Sequence, residues 1–173
     1  MAKKALLVID MLKDFVEEGA PLEVARARGI VGCIKARIEE ARMEDIPIVY
    51  VCDHHKKDDP EFRVWPPHAV EGTSGADVVD GIRPREGDYT VWKTTYSGFF
   101  RTELDDLLKG LGVEEVILTG VCTNICVLYT AADAYMRGYS VTVPEECVAG
   151  LAEDDHRFAL RQIKEVLKPR PTG

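Results

Sequence analysis

Glu115-Val116-Ile117-Leu118-Thr119-Gly120-Val121-Cys122-Thr123-Asn124-Ile125-Cys126-Val127-Leu128-Tyr129-Thr130-Ala131-Ala132 runs from a short apolar stretch, through a glycine and two cysteines, into residues of helical composition. Val116 to Leu118 reads as a strand and Asn124 to Arg137 as a helix that stops at Gly138. Cys126 then stands at a helix N-terminus, where unpaired N–H groups and the positive end of the dipole favour a thiolate. Two earlier apolar runs also end on chemistry-bearing residues: Ala5 to Ile9 before Asp10, and Tyr89 to Trp92 before Lys93. Open parallel sheets collect ligands at the carboxyl ends of their strands, so an acid, an ammonium and a thiol should meet there. Those are the parts of a nucleophilic hydrolase.

Outward from these runs the pattern alternates. Ile46 to Cys52 is a second apolar run and Ser140 to Val143 a fifth, while helical periodicity appears over about Val24 to Met43, Thr102 to Leu111 and Glu153 to Leu167. Gly112 is placed to cap the helix before it. Alternating strands and helices predict an α/β fold with three layers, α/β/α, around a parallel sheet of about five strands, Rossmann-like in its right-handed crossovers. A length of 173 residues fits one domain spanning 1–173. Between Asp53 and Asp88 the periodicity dissolves, and a loop of that length inside a compact domain usually lines a site.

The hydrophobic share of 46% and charged share of 30% are those of a soluble globular chain, and no run approaches a membrane span. A net charge of −8 with scattered basic residues disfavours nucleic acid. The first apolar run is too short, and too soon followed by Asp10, for a secretory signal, so a cytoplasmic protein is expected. The cysteines, 5 in number, include no C-x-x-C pair. Cys33, Cys52 and Cys147 therefore read as buried core thiols rather than as disulfide partners.

Asp10 is suited to take the Cys126 thiol proton, and the Lys93 ammonium to stabilise both anions. Taken singly, an aspartate after a first strand is often a helix cap or ribose ligand, and a lysine at a strand end is often a solvated edge residue. Asp53, His55 and His68 form a second group, a ligand set for a divalent first-row metal such as zinc, iron or manganese. Polar loops also collect histidines, so spacing alone leaves a metal site and a merely hydrophilic loop both open. Phe15, Trp65 and Tyr96 would wall a flat apolar slot or belong to the core. A receiver-like signalling domain would carry its lysine on the fifth strand, not the third. A nucleotide-binding module would need a Gly- or hydroxyl-rich loop where Asp10 to Glu18 is acidic.

Val8-Ile9-Asp10-Met11 with Asp14-Phe15, then Lys93-Thr94-Thr95-Tyr96-Ser97-Gly98-Phe99, then Gly120 to Val127 with Thr130-Ala131, resemble in order the isochorismatase-like cysteine hydrolases. Asp53-His54-His55 and Trp65-Pro66-Pro67-His68 resemble the loop of the nicotinamidases in that superfamily. The resemblance implies a catalytic triad of Asp10, Lys93 and Cys126. It also implies a non-proline cis peptide at Val121–Cys122 and an oxyanion hole built from the N–H groups of Cys122 and Cys126. Asp53, His55 and His68 would hold the metal, with His54 and His55 competing for one place and Glu61 as a more distant ligand. A small amide would be the substrate, nicotinamide or a carbamoyl or ureido compound, with no organic cofactor. A homo-oligomer is expected. Three departures stand out: Leu12-Lys13 in place of Gln-Asn, Asn124 in place of an acid, and no sequence for the sixth strand found in many relatives.

Overall fold

The computed structural model describes residues 3–168. The first strand, β1 (Lys4–Ile9), is followed by a single-turn helix, α1 (Lys13–Val16), and by the long helix α2 (Ala27–Met43). Next come β2 (Ile48–Asp53), a loop with two short 3-10 turns, and β3 (Tyr89–Lys93). Then follow α3 (Leu104–Gly110), β4 (Glu115–Val121), a π turn over Thr123–Val127 and α4 (Leu128–Met136). The described chain closes with β5 (Ser140–Thr142), β6 (Val148–Ala149) and α5 (Glu153–Val166). Among the described residues no helix is long and apolar enough to cross a membrane.

The main path of the sheet runs β3-β2-β1-β4-β5, and every pairing is parallel. Strand alternation divides the core. Leu6, Val8, Ile48, Tyr50 and Cys52 face α2, whose Ile30, Ile34 and Ile38 recur at helical spacing. Ala5, Leu7, Ile9, Val49 and Val51 face the opposite way, onto Leu104 and Leu108 of α3, Ala131 and Ala134 of α4, and Ile163 of α5. Helices thus cover both faces of a sheet whose central strands are apolar throughout, which is the three-layer arrangement.

Among the described residues the sheet has six strands where about five were expected, the added one being β6 before α5; the strand expected to be missing after the last helix falls at the chain end, outside the described residues. Glu115 pairs with Ser140, but Gly120 pairs with Val148, so the offset grows by three residues along β4. The 3-10 turn Glu145–Cys147 fills that interruption. Pro144 precedes it and has no N–H to give to a ladder. Two residues are too short a strand for periodicity to reveal.

The same turn corrects the reading of two cysteines. Cys147 is joined by a disulfide to Cys33 of α2, at a sequence separation of 114. Arg37 of α2 donates a hydrogen bond to Glu146 beside it. Cys52, Cys122 and Cys126 are free and buried.

Gly120 of β4 sits hard against the Ile9 backbone of β1. Its φ is +109°, and a Cβ there would lie 2.0 Å from the Ile9 carbonyl oxygen. Only glycine satisfies both conditions, and the contact sits one residue before Asp10 and two before Cys122.

Two outcomes follow for the fold. Opening the Cys33–Cys147 bond, with a reductant or with Cys33→Ser, should lower unfolding stability by about 2–4 kcal/mol, the usual worth of a bridge that closes a long loop. Denaturant titration with non-reducing peptide mapping reads this, and an unchanged midpoint would contradict it. Gly120→Ala should cost more than an ordinary surface substitution and leave little soluble folded protein, since both backbone strain and a backbone clash oppose it. Near-wild-type thermal unfolding of that variant would refute the packing argument.

Candidate active site

The strand order sets Lys93, Asp53, Asp10 and the Cys122–Cys126 turn on four neighbouring strand ends, β3, β2, β1 and β4. Asp53 and Lys93 are direct partners in the ladder. Asp10 follows β1 with φ 49°, and its Oδ1 accepts a hydrogen bond from the Asp53 backbone N–H at 2.7 Å. The carboxylate is thereby aimed along the sheet edge.

Lys93 is 1% exposed and its ammonium lies between two carboxylates, 2.8 Å from Asp10 Oδ2 and 2.5 Å from Asp53 Oδ1. Its third close neighbour is Cys126 Sγ at 3.6 Å. Ligand atoms of Asp10, Asp53 and Cys126 all lie within 4.8 Å of one another. The three residues read from separate strand ends therefore converge, and Asp53 joins them.

Burial opposes every charge in this group, and the partners decide the outcome. Asp10 is pushed up to about 6 by burial and by the Asp53 charge, with Lys93 pulling the other way. Burial would also raise Asp53, but Lys93 and the two neighbouring imidazoles outweigh it and hold that carboxyl below the usual range. Lys93 is raised because two carboxylates overcome its desolvation.

The Cys126 thiol departs from the expectation of a thiolate favoured by a helix end. Burial, with Asp10 and Asp53, pushes it up against the pull of Lys93. The segment opens as a π turn, in which Val127 N–H reaches the Cys122 carbonyl at 3.1 Å, and runs on into α4. Cys126 sits within that turn. The Val121–Cys122 peptide is cis, and Cys122 and Cys126 both line the pocket at these strand ends.

Asp53 uses its second oxygen on the other side. Oδ2 lies 3.8 Å from His55 Nε2 and 3.6 Å from His68 Nε2. His68 Nδ1 donates to the Pro66 carbonyl at 2.7 Å, which leaves its Nε2 a lone pair facing the carboxylate. His55 Nδ1 lies 3.1 Å from Asp59 Oδ2, and both ring nitrogens of His55 are buried without a hydrogen bond. Two buried imidazoles turned by outer groups toward one carboxylate oxygen, one of them with orphaned nitrogens, fit a cation held by Asp53, His55 and His68.

His54 is not part of this group. It packs at a tilt against Trp92 and approaches Glu71. Asp53 and His55 share one side of extended backbone and His54 takes the other. Asp59, which spacing did not single out, belongs beside His55. Phe62, likewise unforeseen, packs against both imidazoles at 5.4 and 5.7 Å.

The pocket encloses about 460 Å³ including its mouth, with Phe15, Trp65 and Tyr96 among its walls and Asp53, His68 and Cys126 at its polar end. Phe15 meets His68 edge-on, the Trp65 indole N–H donates to the Tyr96 hydroxyl at 3.2 Å, and Tyr96 stacks on Tyr129. Leu22, Ile125 and Leu151 add apolar surface that the linear pattern did not mark, and Glu61 also lines the cavity.

Comparison with known proteins agrees with this architecture. The Isochorismatase domain model matches residues 4–169. A pyrazinamidase/nicotinamidase from Streptococcus mutans is 36% identical, with 95% of this chain and 97% of that chain covered at a TM-score of 0.91. An N-carbamoylsarcosine amidase from Thermoplasma acidophilum is 38% identical, with coverages of 99% and 98% and a TM-score of 0.87. A pyrazinamidase of Pyrococcus horikoshii, solved in complex with zinc, is 32% identical, with coverages of 96% and 97% and a TM-score of 0.91. Sequence match, strand order and the row of strand-end residues point the same way: the chain belongs to the isochorismatase family of hydrolases.

Proposed function

We propose that the protein is a cysteine amidohydrolase that cleaves a small, uncharged, flat carboxamide, with nicotinamide, giving nicotinate and ammonia, the best candidate. The observation that carries the choice is the pocket lining: apolar and aromatic walls, acidic groups, and neither Lys nor Arg among the described lining residues. A carbamoyl amino acid brings a carboxylate that would need a cation besides the one proposed at Asp53, His55 and His68, whereas a neutral ring brings no charge to pair. The similarity to a nicotinamidase supports this reading, and the similarity to an N-carbamoylsarcosine amidase makes the charged class the comparison to test.

In the proposed reaction Asp10 accepts the Cys126 proton as the sulfur bonds to the amide carbon. An acid pushed up to about 6 is matched to taking and returning protons near neutrality. Moving that proton leaves the net charge of the cluster unchanged, and the new thiolate lies 3.6 Å from the Lys93 ammonium. The N–H groups of Cys122 and Cys126 are assigned to the developing oxyanion. Collapse breaks the carbon–nitrogen bond as Asp10 protonates the departing ammonia, leaving a thioester. Water, deprotonated by Asp10, then releases the acid and the free thiol. Asp53, His55 and His68 would hold a divalent cation such as zinc, which supplies a Lewis acid for a ring nitrogen or carbonyl of the substrate. Phe15, Trp65 and Tyr96 position the ring.

Ammonia release from a panel of neutral and carboxylate-bearing amides tests the assignment. Wild type should turn over nicotinamide, with carbamoyl amino acids slower by at least about 100-fold, the discrimination expected when a charge is left unpaired in an apolar pocket. Cys126→Ala should abolish turnover while keeping the fold by circular dichroism. Preference for the charged amides would overturn the substrate reading, and residual turnover in Cys126→Ala would overturn the nucleophile.

The cation is tested apart from turnover. Competition titration with a chromophoric chelator should find one tight zinc site per chain, weakened about 10–100-fold or more by His55→Ala or Asp53→Asn. Equal affinity in wild type and variants would reject this ligand set.

A further inference from the structure

The π turn that carries the proposed nucleophile has a side-chain tie to a distant helix. Thr123, the first residue of that turn, is wholly buried, and its Oγ1 shares a hydrogen bond of 2.8 Å with Nδ1 of His156 on α5. His156 itself is half-buried and lies outside the pocket lining. The approach is close by construction. A Cβ at Gly150 would lie 3.3 Å from Asn124 Oδ1 and 3.4 Å from His156 Cβ, so glycine lets the start of α5 rest on the turn. The remainder of α5 is held independently through Ala159 and Ile163, and Glu153 pairs with Arg26 of the loop before α2. The imidazole is therefore not needed to dock the helix. What it fixes is the hydroxyl three residues ahead of Cys126.

From this geometry we infer that His156 is a positioning residue for the nucleophile, acting through Thr123 to hold the turn so that Cys126 Sγ keeps its place beside Asp10 and Lys93. The inference rests on the nucleophile assignment above. A buried polar link within a tightly packed turn resists small displacements, and a shift of about 1 Å at a reacting atom is enough to cost as much as 100-fold in rate. The bond is made by Nδ1, which defines the replacement that should restore it. Asparagine places a polar atom where Nδ1 sits, glutamine places one where Nε2 sits, and leucine offers neither.

The test compares wild type with His156→Asn, His156→Gln and His156→Leu, all well below their unfolding midpoints. Leucine and glutamine should lower kcat on the order of tenfold with KM nearly unchanged, and asparagine should recover most of the loss. A second readout does not depend on the substrate: the rate of carboxamidomethylation of Cys126 by iodoacetamide, followed on its own peptide by mass spectrometry. That rate should change several-fold for leucine and glutamine and return toward wild type for asparagine. Absence of wild-type turnover on every amide would sink the amidohydrolase reading, and the alkylation series would still judge the positioning role. Equal kcat and equal alkylation across all four proteins, or equal impairment in all three variants, would overturn it.

Discussion

A buried ammonium flanked by two carboxylates is the constraint around which the rest of this structure is arranged. Lys93 could not remain charged at 1% exposure without Asp10 and Asp53, and neither carboxylate could remain there without Lys93. Holding them together requires three adjacent parallel strands to end at the same level. The register of β2 on β3 and the close passage of β1 against β4 at Gly120 provide that alignment. The apolar strands beneath are the foundation for a polar row at their tips.

Asp53 divides its two oxygens between two tasks. One faces Lys93 and hence Cys126, while the other faces the imidazoles of His55 and His68. A change in charge on the imidazole side is felt on the sulfur side through a single delocalised group. The cluster of thiol, acid, amine and proposed cation site is thus one electrostatic unit rather than two neighbouring ones.

The fold and the meeting of Asp10, Lys93 and Cys126 at the strand ends were legible because local signals carried them. Apolar runs ending on Asp10 and Lys93, and the strand-to-helix passage around Cys126, need nothing beyond neighbouring residues to be read. Other features depend on folded distance. The Cys33–Cys147 bridge spans 114 residues without a local mark, and the sixth strand is two residues long. His55 could be separated from His54 only once the backbone after β2 was seen to stay extended. Asp59 resembled any other loop acid until its carboxylate appeared beside an imidazole. The thiol expected to be favoured as a thiolate is instead pushed up, because burial, with Asp10 and Asp53, outweighs the pull of Lys93.

The break between β5 and β6 has a bearing on solubility. A long, regular outer strand offers neighbouring molecules a template for continuing the sheet, and such contacts seed aggregates. Here the border of the sheet beyond β4 is cut into pieces of three and two residues, separated by a proline and a tight turn and fastened to α2. That edge cannot present a continuous row of amides to another molecule, which protects a sheet whose central strands are almost wholly apolar.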